Sequence, residues 1–249
     1  MSGTIFTPDG RERLREALIA VARADPRIIG AALTGSASVG HEDRWSDIDL
    51  ALGLAETAEM SEVMADWTET MYRHGAVHHL DVWRGVTCFR VFLLADTLQV
   101  DLAFRPAPDF RATGPAFRLL FGQAEGGPLL PPPDPAELVG LGWVYALHVR
   151  SSLRRGRVRQ AEWMLSRTRE QVFALACLRH GLPAYEGRGF DDLPFEVTRP
   201  LDESFPRSLN AAELERAFRV TGDGLRRELE LADPALAARL AGALDLLLG

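Results

Sequence analysis

The segment from residue 34 to residue 50, TGSASVGHEDRWSDIDL, contains residue types that could perform phosphoryl-group chemistry. Asp47 and Asp49 are two positions apart at the start of an apolar run, and side chains with this spacing on a strand point to the same face. Two carboxylates held this close repel each other unless a cation lies between them. Magnesium prefers oxygen ligands and keeps positions for water and phosphate, so the pair predicts a Mg²⁺ site.

The residues that precede this pair could bind phosphate. Gly35 ends an apolar run, and its missing side chain would let the backbone approach a ligand closely. Ser36 begins a predicted helical turn, whose amides and hydroxyl could contact phosphate oxygens. The alternative is a plain strand-to-helix turn, but a phosphate-binding turn beside a magnesium pair is typical of a phosphoryl-transfer site.

A third carboxylate usually completes such a site from a neighbouring strand. Asp101 is the single charged residue of the apolar segment LQVDLAF, where burial without a partner would be costly. We therefore expect Asp101 to be the third metal ligand and part of the catalytic group with Asp47 and Asp49. The alternatives are that Asp101 lies at a solvent-facing strand end, or that Asp81 supplies the third carboxylate.

Three residues directly before the aspartates are candidates for contact with a nucleotide. Arg44 could neutralise phosphate or be an exposed charge of the loop. Ser46 is expected beside the phosphates. Trp45 could stack on a base, but we expect it to pack beside the sheet instead.

The order of these residues resembles a known family pattern. Gly-Ser, about ten residues, Asp-x-Asp and a later Asp on another strand resemble the nucleotidyltransferases of the DNA polymerase β superfamily. With Trp45 and Ser46 before the aspartates, the segment looks most like the aminoglycoside and lincosamide nucleotidyltransferase-like branch. The motif covers residues 28–54, and beyond residue 106 the resemblance rests on domain order alone.

The resemblance implies a function and its cofactors. The donor would be ATP or another nucleoside triphosphate, held with two Mg²⁺ ions. A nucleoside monophosphate would pass to a hydroxyl of a small molecule, such as an aminoglycoside-type antibiotic, with release of pyrophosphate. One alternative is a nucleotidyltransferase that adenylylates a protein, as the minimal antitoxins of this superfamily do. Another alternative is a nucleotide-binding protein whose catalytic site has decayed.

The general base cannot be chosen from the sequence. An acceptor hydroxyl needs its proton removed by a group within hydrogen-bond reach. Asp101 could serve if it is not committed to metal. The other candidate carboxylates are Asp81, Glu162, Glu170, Asp191 and Asp192.

The apolar pattern predicts an α+β fold of two domains. Alternating helix-like and strand-like segments predict a mixed five-stranded nucleotidyltransferase sheet with helices over residues 1–112. The stretch from Arg105 to Pro135, rich in proline and glycine, is predicted to be a linker or wrapping loop, and residues 113–249 are predicted to form a helical substrate- or nucleotide-binding domain. In it, Arg169 borders an apolar helical stripe and is expected to reach the triphosphate, and Arg188 is a second candidate.

Composition excludes several classes of protein. The formal net charge of −7 argues against binding of extended nucleic acid, which needs a broad basic surface. We find no apolar run long enough for a bilayer and no secretory leader pattern, so a cytoplasmic protein without a membrane partner is expected. Cys88 and Cys177 lie in apolar stretches and are expected to be buried thiols. A homodimer that completes the active site is left open.

Overall fold

The computed structural model describes residues 5–127 and 131–248, which form two compact units, Met1–Leu130 and Pro131–Gly249. Each unit has a hydrophobic core of its own. The first unit extends past residue 112 because a strand at Phe117–Phe121 pairs within its sheet.

The first unit alternates helices and strands along the chain. Its elements are α1 (Pro8–Ala24), β1 (Ile28–Thr34), α2 (Gly35–Ser38), β2 (Ile48–Leu54), α3 (Met60–Arg73), β3 (Ala76–Arg84), β4 (Thr87–Leu94), β5 (Gln99–Pro106), a 3₁₀ turn (Ala107–Asp109), β6 (Arg111–Ala112), β7 (Phe117–Phe121) and β8 (Glu125–Gly126).

A mixed sheet of six strands, in the order β3-β4-β5-β2-β1-β7, is the centre of this unit. The strands β2 and β5 are parallel, and all other neighbours in the sheet are antiparallel. The predicted α+β class is confirmed, but the sheet has six strands instead of five. The additional strand β7 lies in the segment predicted to be a linker, where flanking glycine and proline conceal a short strand.

The two faces of the sheet are built from different residues. On one face, large side chains such as Leu50, Leu52 and Phe104 pack with Leu18 of α1 and Trp67 of α3. On the other face, the small side chains of Ala32, Ala51 and Ala103 pack with Phe110. Because strand side chains alternate between faces, the buried residues on either side of Asp49 and Asp101 direct both aspartates to this second, small-residue face.

The second unit contains helices only, among the residues that the structure describes there. They are α4 (Pro135–Arg154), α5 (Val158–His180), α6 (Phe195–Asp202), α7 (Ala211–Ala232) and α8 (Pro234–Leu248).

The predicted C-terminal helices are confirmed, and their ends have local causes. The helix α5 stops where Gly181 adopts φ +69°, a conformation that glycine adopts without steric cost. The helix α6 contains Pro200, a residue that is disfavoured inside a helix because its ring removes a backbone donor. Cys88 and Cys177 are buried free thiols, as predicted. None of the described helices has the length and apolar character needed to cross a membrane.

Candidate active site

The parallel pairing of β2 with β5 places two carboxylates side by side. Asp49 and Asp101 are partners in the register of these strands. Ile48 and Leu50 flank Asp49 and are fully or almost fully buried on the opposite face. A slip of one residue in either strand would turn an aspartate into the core, so the hydrophobic pattern fixes this pair.

Asp47 completes a cluster of three carboxylates. One carboxylate oxygen from each of Asp47, Asp49 and Asp101 lies within 4.8 Å of the other two, and all three residues are partly buried. The structure therefore brings together the three residues that the sequence predicted as metal ligands. Three oxygen donors that are still partly open to solvent fit the requirements of Mg²⁺, which retains positions for water and phosphate.

Burial and neighbouring groups shift the titration of Asp101 within this cluster. Burial raises the pKa of Asp101, a hydrogen bond from Gln99 lowers it, and the negative charge of Asp47 raises it again, with a net upward shift. The Gln99 amide nitrogen lies 3.0 Å from Asp101 Oδ1 and 3.5 Å from Asp47 Oδ2. The upward shift means that ionisation of Asp101 costs more in the folded protein than in the unfolded chain, and a bound cation would oppose that cost.

Gln99 is a site residue that the sequence analysis missed. It precedes Asp101 by two positions, so both side chains lie on the same face of β5. Its polar character at that position was the signal that could have identified it. A neutral amide that donates to two carboxylates holds them in place without removing their charge.

Gly35 provides the space that the carboxylate of Asp49 occupies. Its backbone has φ +59°, and a Cβ atom added there would overlap Asp49 Oδ2. From the sequence, Gly35 was expected to leave room for a ligand. In the structure, the atom nearest to the place of its missing side chain belongs to the Asp49 carboxylate. Ser36 follows in α2, and its carbonyl accepts hydrogen bonds from Val39 and His41 at 3.3 and 3.0 Å.

Hydrogen bonds between Asp43 and Ser46 lie within the loop that precedes the aspartates. The Ser46 hydroxyl donates to Asp43 Oδ1 at 3.0 Å and accepts from the Asp43 amide at 2.9 Å, so Ser46 is engaged within the loop. The Arg44 guanidinium donates to the Phe6 carbonyl at 3.4 Å and stacks 4.5 Å from the centre of the Trp45 ring. The expectation that Trp45 packs beside the sheet is wrong, because its side chain is 65% exposed.

Asp81, the alternative third carboxylate, has a different partner. The guanidinium of Arg90 donates to both of its oxygens, at 2.6 and 2.7 Å, and also to the carbonyl of Met64 at 3.1 Å. The hydrogen bond from Arg90 holds the pKa of Asp81 below its usual value. Such a paired carboxylate is part of the fold and is not among the three clustered carboxylates.

We expect Asp81→Asn to lower stability and to leave Mg²⁺-dependent ATP binding unchanged. Because Asp81 is partly screened by solvent, the loss of this charge-assisted pair should reduce the free energy of unfolding by about 1 kcal/mol at pH 7. Because the pKa of Asp81 is lowered in the fold, its contribution is present above the unfolded-state pKa and is lost as the pH falls through the folded-state pKa. Denaturant unfolding of both proteins at several pH values would measure the difference, which should shrink towards acid pH. A variant as stable as the wild type at neutral pH would contradict this role.

The remaining predicted contacts lie in the second unit. Arg169 is buried in α5, donates to the Ser204 carbonyl at 3.0 Å and stacks 4.2 Å from the centre of the Phe205 ring. Burial lowers the pKa of this guanidinium. Arg188 forms an ion pair of 3.5 Å with Glu186. The base candidates of this unit are Glu162, Glu170, Asp191 and Asp192.

Comparison with known proteins gives structural similarity only. No protein-family model and no curated protein matches the chain. Among solved structures, an aminoglycoside 6-adenyltransferase from Bacillus subtilis is 11% identical at a TM-score of 0.39, with 96% of this chain and 98% of that chain covered. A nucleotidyltransferase-like protein from Exiguobacterium sibiricum is 12% identical at 0.38, with 90% and 78% covered. The polymerase core of TRAMP, an RNA surveillance complex, is 12% identical at 0.31, with 90% and 57% covered.

The first of these proteins is named as an adenyltransferase and the second as nucleotidyltransferase-like. At such identities and scores they do not determine an activity. The assignment of a function therefore rests on the residues of the carboxylate cluster and their surroundings.

Proposed function

We propose that this protein is a Mg²⁺-dependent nucleotidyltransferase that transfers a nucleoside monophosphate, AMP from ATP, to a hydroxyl of a small molecule. The observation that supports the proposal is the cluster of Asp47, Asp49 and Asp101 on the small-residue face of the sheet. Three carboxylates within 4.8 Å of one another are costly unless they bind a cation. The turn at Gly35 and Ser36 lies next to this cluster, where a phosphate chain would meet it.

The donor set agrees with magnesium in preference to softer metals. All three candidate ligands are carboxylates, and hard cations prefer oxygen. Asp47, Asp49 and Asp101 would hold the ions, two of them according to the family resemblance. When bound, the metal neutralises charge on the phosphates and polarises the phosphorus that is attacked.

The reaction would proceed by displacement at the α-phosphorus of the donor. The acceptor oxygen forms a bond to this phosphorus, the bond to the bridging oxygen of the β-phosphate breaks, and pyrophosphate leaves with the electron pair. The acceptor proton passes to a general base, for which several carboxylates remain candidates. The protein contributes position and charge: Gln99 orients Asp101, and Gly35 leaves the space in which Asp49 lies.

The family resemblance and the printed name of one structural neighbour both suggest an aminoglycoside-type acceptor. The physiological partners in this proposal are a nucleoside triphosphate and a small hydroxyl-bearing molecule, within the cytoplasm. A protein acceptor is the second candidate, and a binding protein without catalysis is the third.

One labelling experiment separates these three possibilities. The purified chain would be incubated with Mg²⁺, ATP labelled at the α-phosphate and a panel of aminoglycosides, lincosamides and other polyols. Label on a small acceptor, together with pyrophosphate release, would support the proposal. Label on added cell protein alone would favour the protein-adenylylating alternative. Absence of transfer with every nucleoside triphosphate and every acceptor would count against an enzyme.

A further inference from the structure

Asp47 differs from its two partners in the way it is positioned. The register between β2 and β5 begins at Ile48 opposite Val100 and includes the pair of Asp49 with Asp101. Asp47 precedes the first residue of β2, so no pair of the β2–β5 ladder contains it. Apart from the 3.5 Å contact with Gln99 Nε2, the position of its carboxylate depends on the loop of residues 41–46, which leads into it.

This loop is stiffened by hydrogen bonds of its own. Asp43 Oδ1 accepts from the Trp45 amide at 2.8 Å and from the Ser46 hydroxyl at 3.0 Å. These bonds close a short turn, but they do not attach it to the rest of the unit. An attachment must come from another element if Asp47 is to remain near Asp49.

Besides the 3.4 Å bond from Arg44 to the Phe6 carbonyl, Arg11 of α1 attaches the loop at the peptide that leads into Asp47. Its guanidinium nitrogen Nη1 donates to the carbonyl oxygen of Asp43 at 2.7 Å and to that of Ser46 at 2.9 Å. The Ser46 carbonyl belongs to the peptide bond that leads directly into Asp47. Arg11 is only 6% exposed, so this contact is made within the protein and is little screened by solvent.

A second buried arginine supports the first. Arg15 lies one helical turn further along α1, is 7% exposed, and donates to Glu42 Oε1 at 2.6 Å. The same oxygen lies 3.4 Å from Arg11 Nε. Glu42 therefore holds both guanidinium groups on the side of α1 that faces the loop, and an arginine is well suited to this because its donors are fixed in one plane.

We propose that Arg11 is a positioning residue, which sets the distance of Asp47 from Asp49 and Asp101 and so determines the metal affinity of the cluster. The inference rests on the proposed function, because it assumes that the three carboxylates bind a divalent cation. Without the guanidinium, the carbonyls of Asp43 and Ser46 lose their shared donor and the loop can move away from β2. Asp49 and Asp101 stay paired, so metal binding weakens but is not abolished.

The test measures Mn²⁺ binding by electron paramagnetic resonance, without nucleotide and without turnover. The variants are Arg11→Met, which keeps the length of the side chain but not its donors, and Arg11→Lys, which keeps one donating nitrogen. We expect the dissociation constant to rise about 10–100-fold for Arg11→Met, as for other groups that orient metal ligands, and less for Arg11→Lys.

A matched control separates positioning from general stability. Arg90 of β4 is also a guanidinium that is mostly buried, donates to a backbone carbonyl and pairs with an acid in the same unit. Arg90→Met should lower the thermal stability much as Arg11→Met does, yet leave the Mn²⁺ dissociation constant within about twofold. Equal Mn²⁺ affinity in Arg11→Met and Arg90→Met would overturn the inference.

The metal site and the positioning role of Arg11 can be refuted separately. If the wild type bound no Mn²⁺, the metal site itself would be refuted, and the positioning role with it. If the wild type bound Mn²⁺ and Asp49→Asn did not, the metal site would stand, and the Arg11 variants alone would decide the inference. Should Arg11→Met fail to fold, Arg11→Lys gives the same comparison, since an unchanged dissociation constant in it would contradict the dependence on guanidinium geometry.

Discussion

Replacing Asp49 with asparagine is expected to abolish Mg²⁺-dependent ATP binding and to slow nucleotide transfer by more than about 10³-fold, since a metal supplies several kcal/mol of transition-state stabilisation. The substitution keeps the shape of the side chain and removes a charge from the centre of the cluster, where Asp49 pairs with Asp101. Calorimetric titration of ATP with Mg²⁺ into both proteins measures the binding. Mg²⁺ should also raise the melting temperature of the wild type but not that of the variant.

Asp81→Asn is the matched control for this experiment. It removes the same charge from the same unit, at a carboxylate that Arg90 already neutralises. Its affinity for ATP with Mg²⁺ should equal that of the wild type. If Asp49→Asn bound ATP as tightly as the wild type does, the carboxylate cluster would not be the nucleotide site. If neither the wild type nor the variant bound any nucleoside triphosphate, the non-enzymatic alternative would become the better one.

The position of the carboxylate pair could be predicted because it depends on local pattern. Asp101 is a single charge in an apolar strand, and Asp49 lies between two buried neighbours. Both positions follow the two-residue period of a strand. Parallel pairing then brings them together without any further information. The sheet, its main helices and the three carboxylates were predictable for this reason.

The surroundings of the cluster could not be predicted because they depend on contacts between distant residues. Arg11 binds the Ser46 carbonyl across 35 positions of the chain. In the sequence, Arg11 is one of several charges on an amphipathic helix, and nothing marks it as buried. The exposure of Trp45 was misjudged for a similar reason, since its loop is held by α1 and not by the sheet.

At Gly35 the structure adds a second reason for a glycine to the one expected from the sequence. A glycine at the end of β1 was interpreted as allowing a ligand to approach the backbone. The structure shows a left-handed conformation at φ +59° and the Asp49 carboxylate in the space of a side chain. Only the pairing of β1 with β2 brings these two residues together, so the cause appears in the tertiary structure alone.

Gly35→Ala is expected to lower both stability and activity. A left-handed conformation costs a residue with a Cβ about 1–2 kcal/mol. In addition, the new methyl group would overlap Asp49 Oδ2 and push the carboxylate away from its partners. A displacement of about 1 Å at a reacting group can cost roughly 10²-fold in rate, and we expect a loss of at least that size in nucleotide transfer.

Gly40 provides the control for the backbone contribution. It has φ +72°, and an added Cβ would meet no atom within 4 Å. Gly40→Ala should therefore lose about 1–2 kcal/mol of unfolding free energy and retain the ATP affinity of the wild type. If Gly40→Ala and Gly35→Ala reduced transfer equally, backbone strain in the loop would explain both, and the contact with Asp49 would be irrelevant.

A double-mutant cycle of Gly35→Ala with Asp49→Ala tests the contact directly. Because the added methyl group meets the Asp49 carboxylate, its steric cost should vanish when that carboxylate is absent, and only the backbone cost should remain. We expect Gly35→Ala to be less destabilising in the Asp49→Ala protein than in the wild type, with a coupling energy of about 0.5–3 kcal/mol from denaturant unfolding without metal. Additive effects would mean that the side chain of Asp49 moves aside at no cost. The glycine would then be required by its backbone conformation alone.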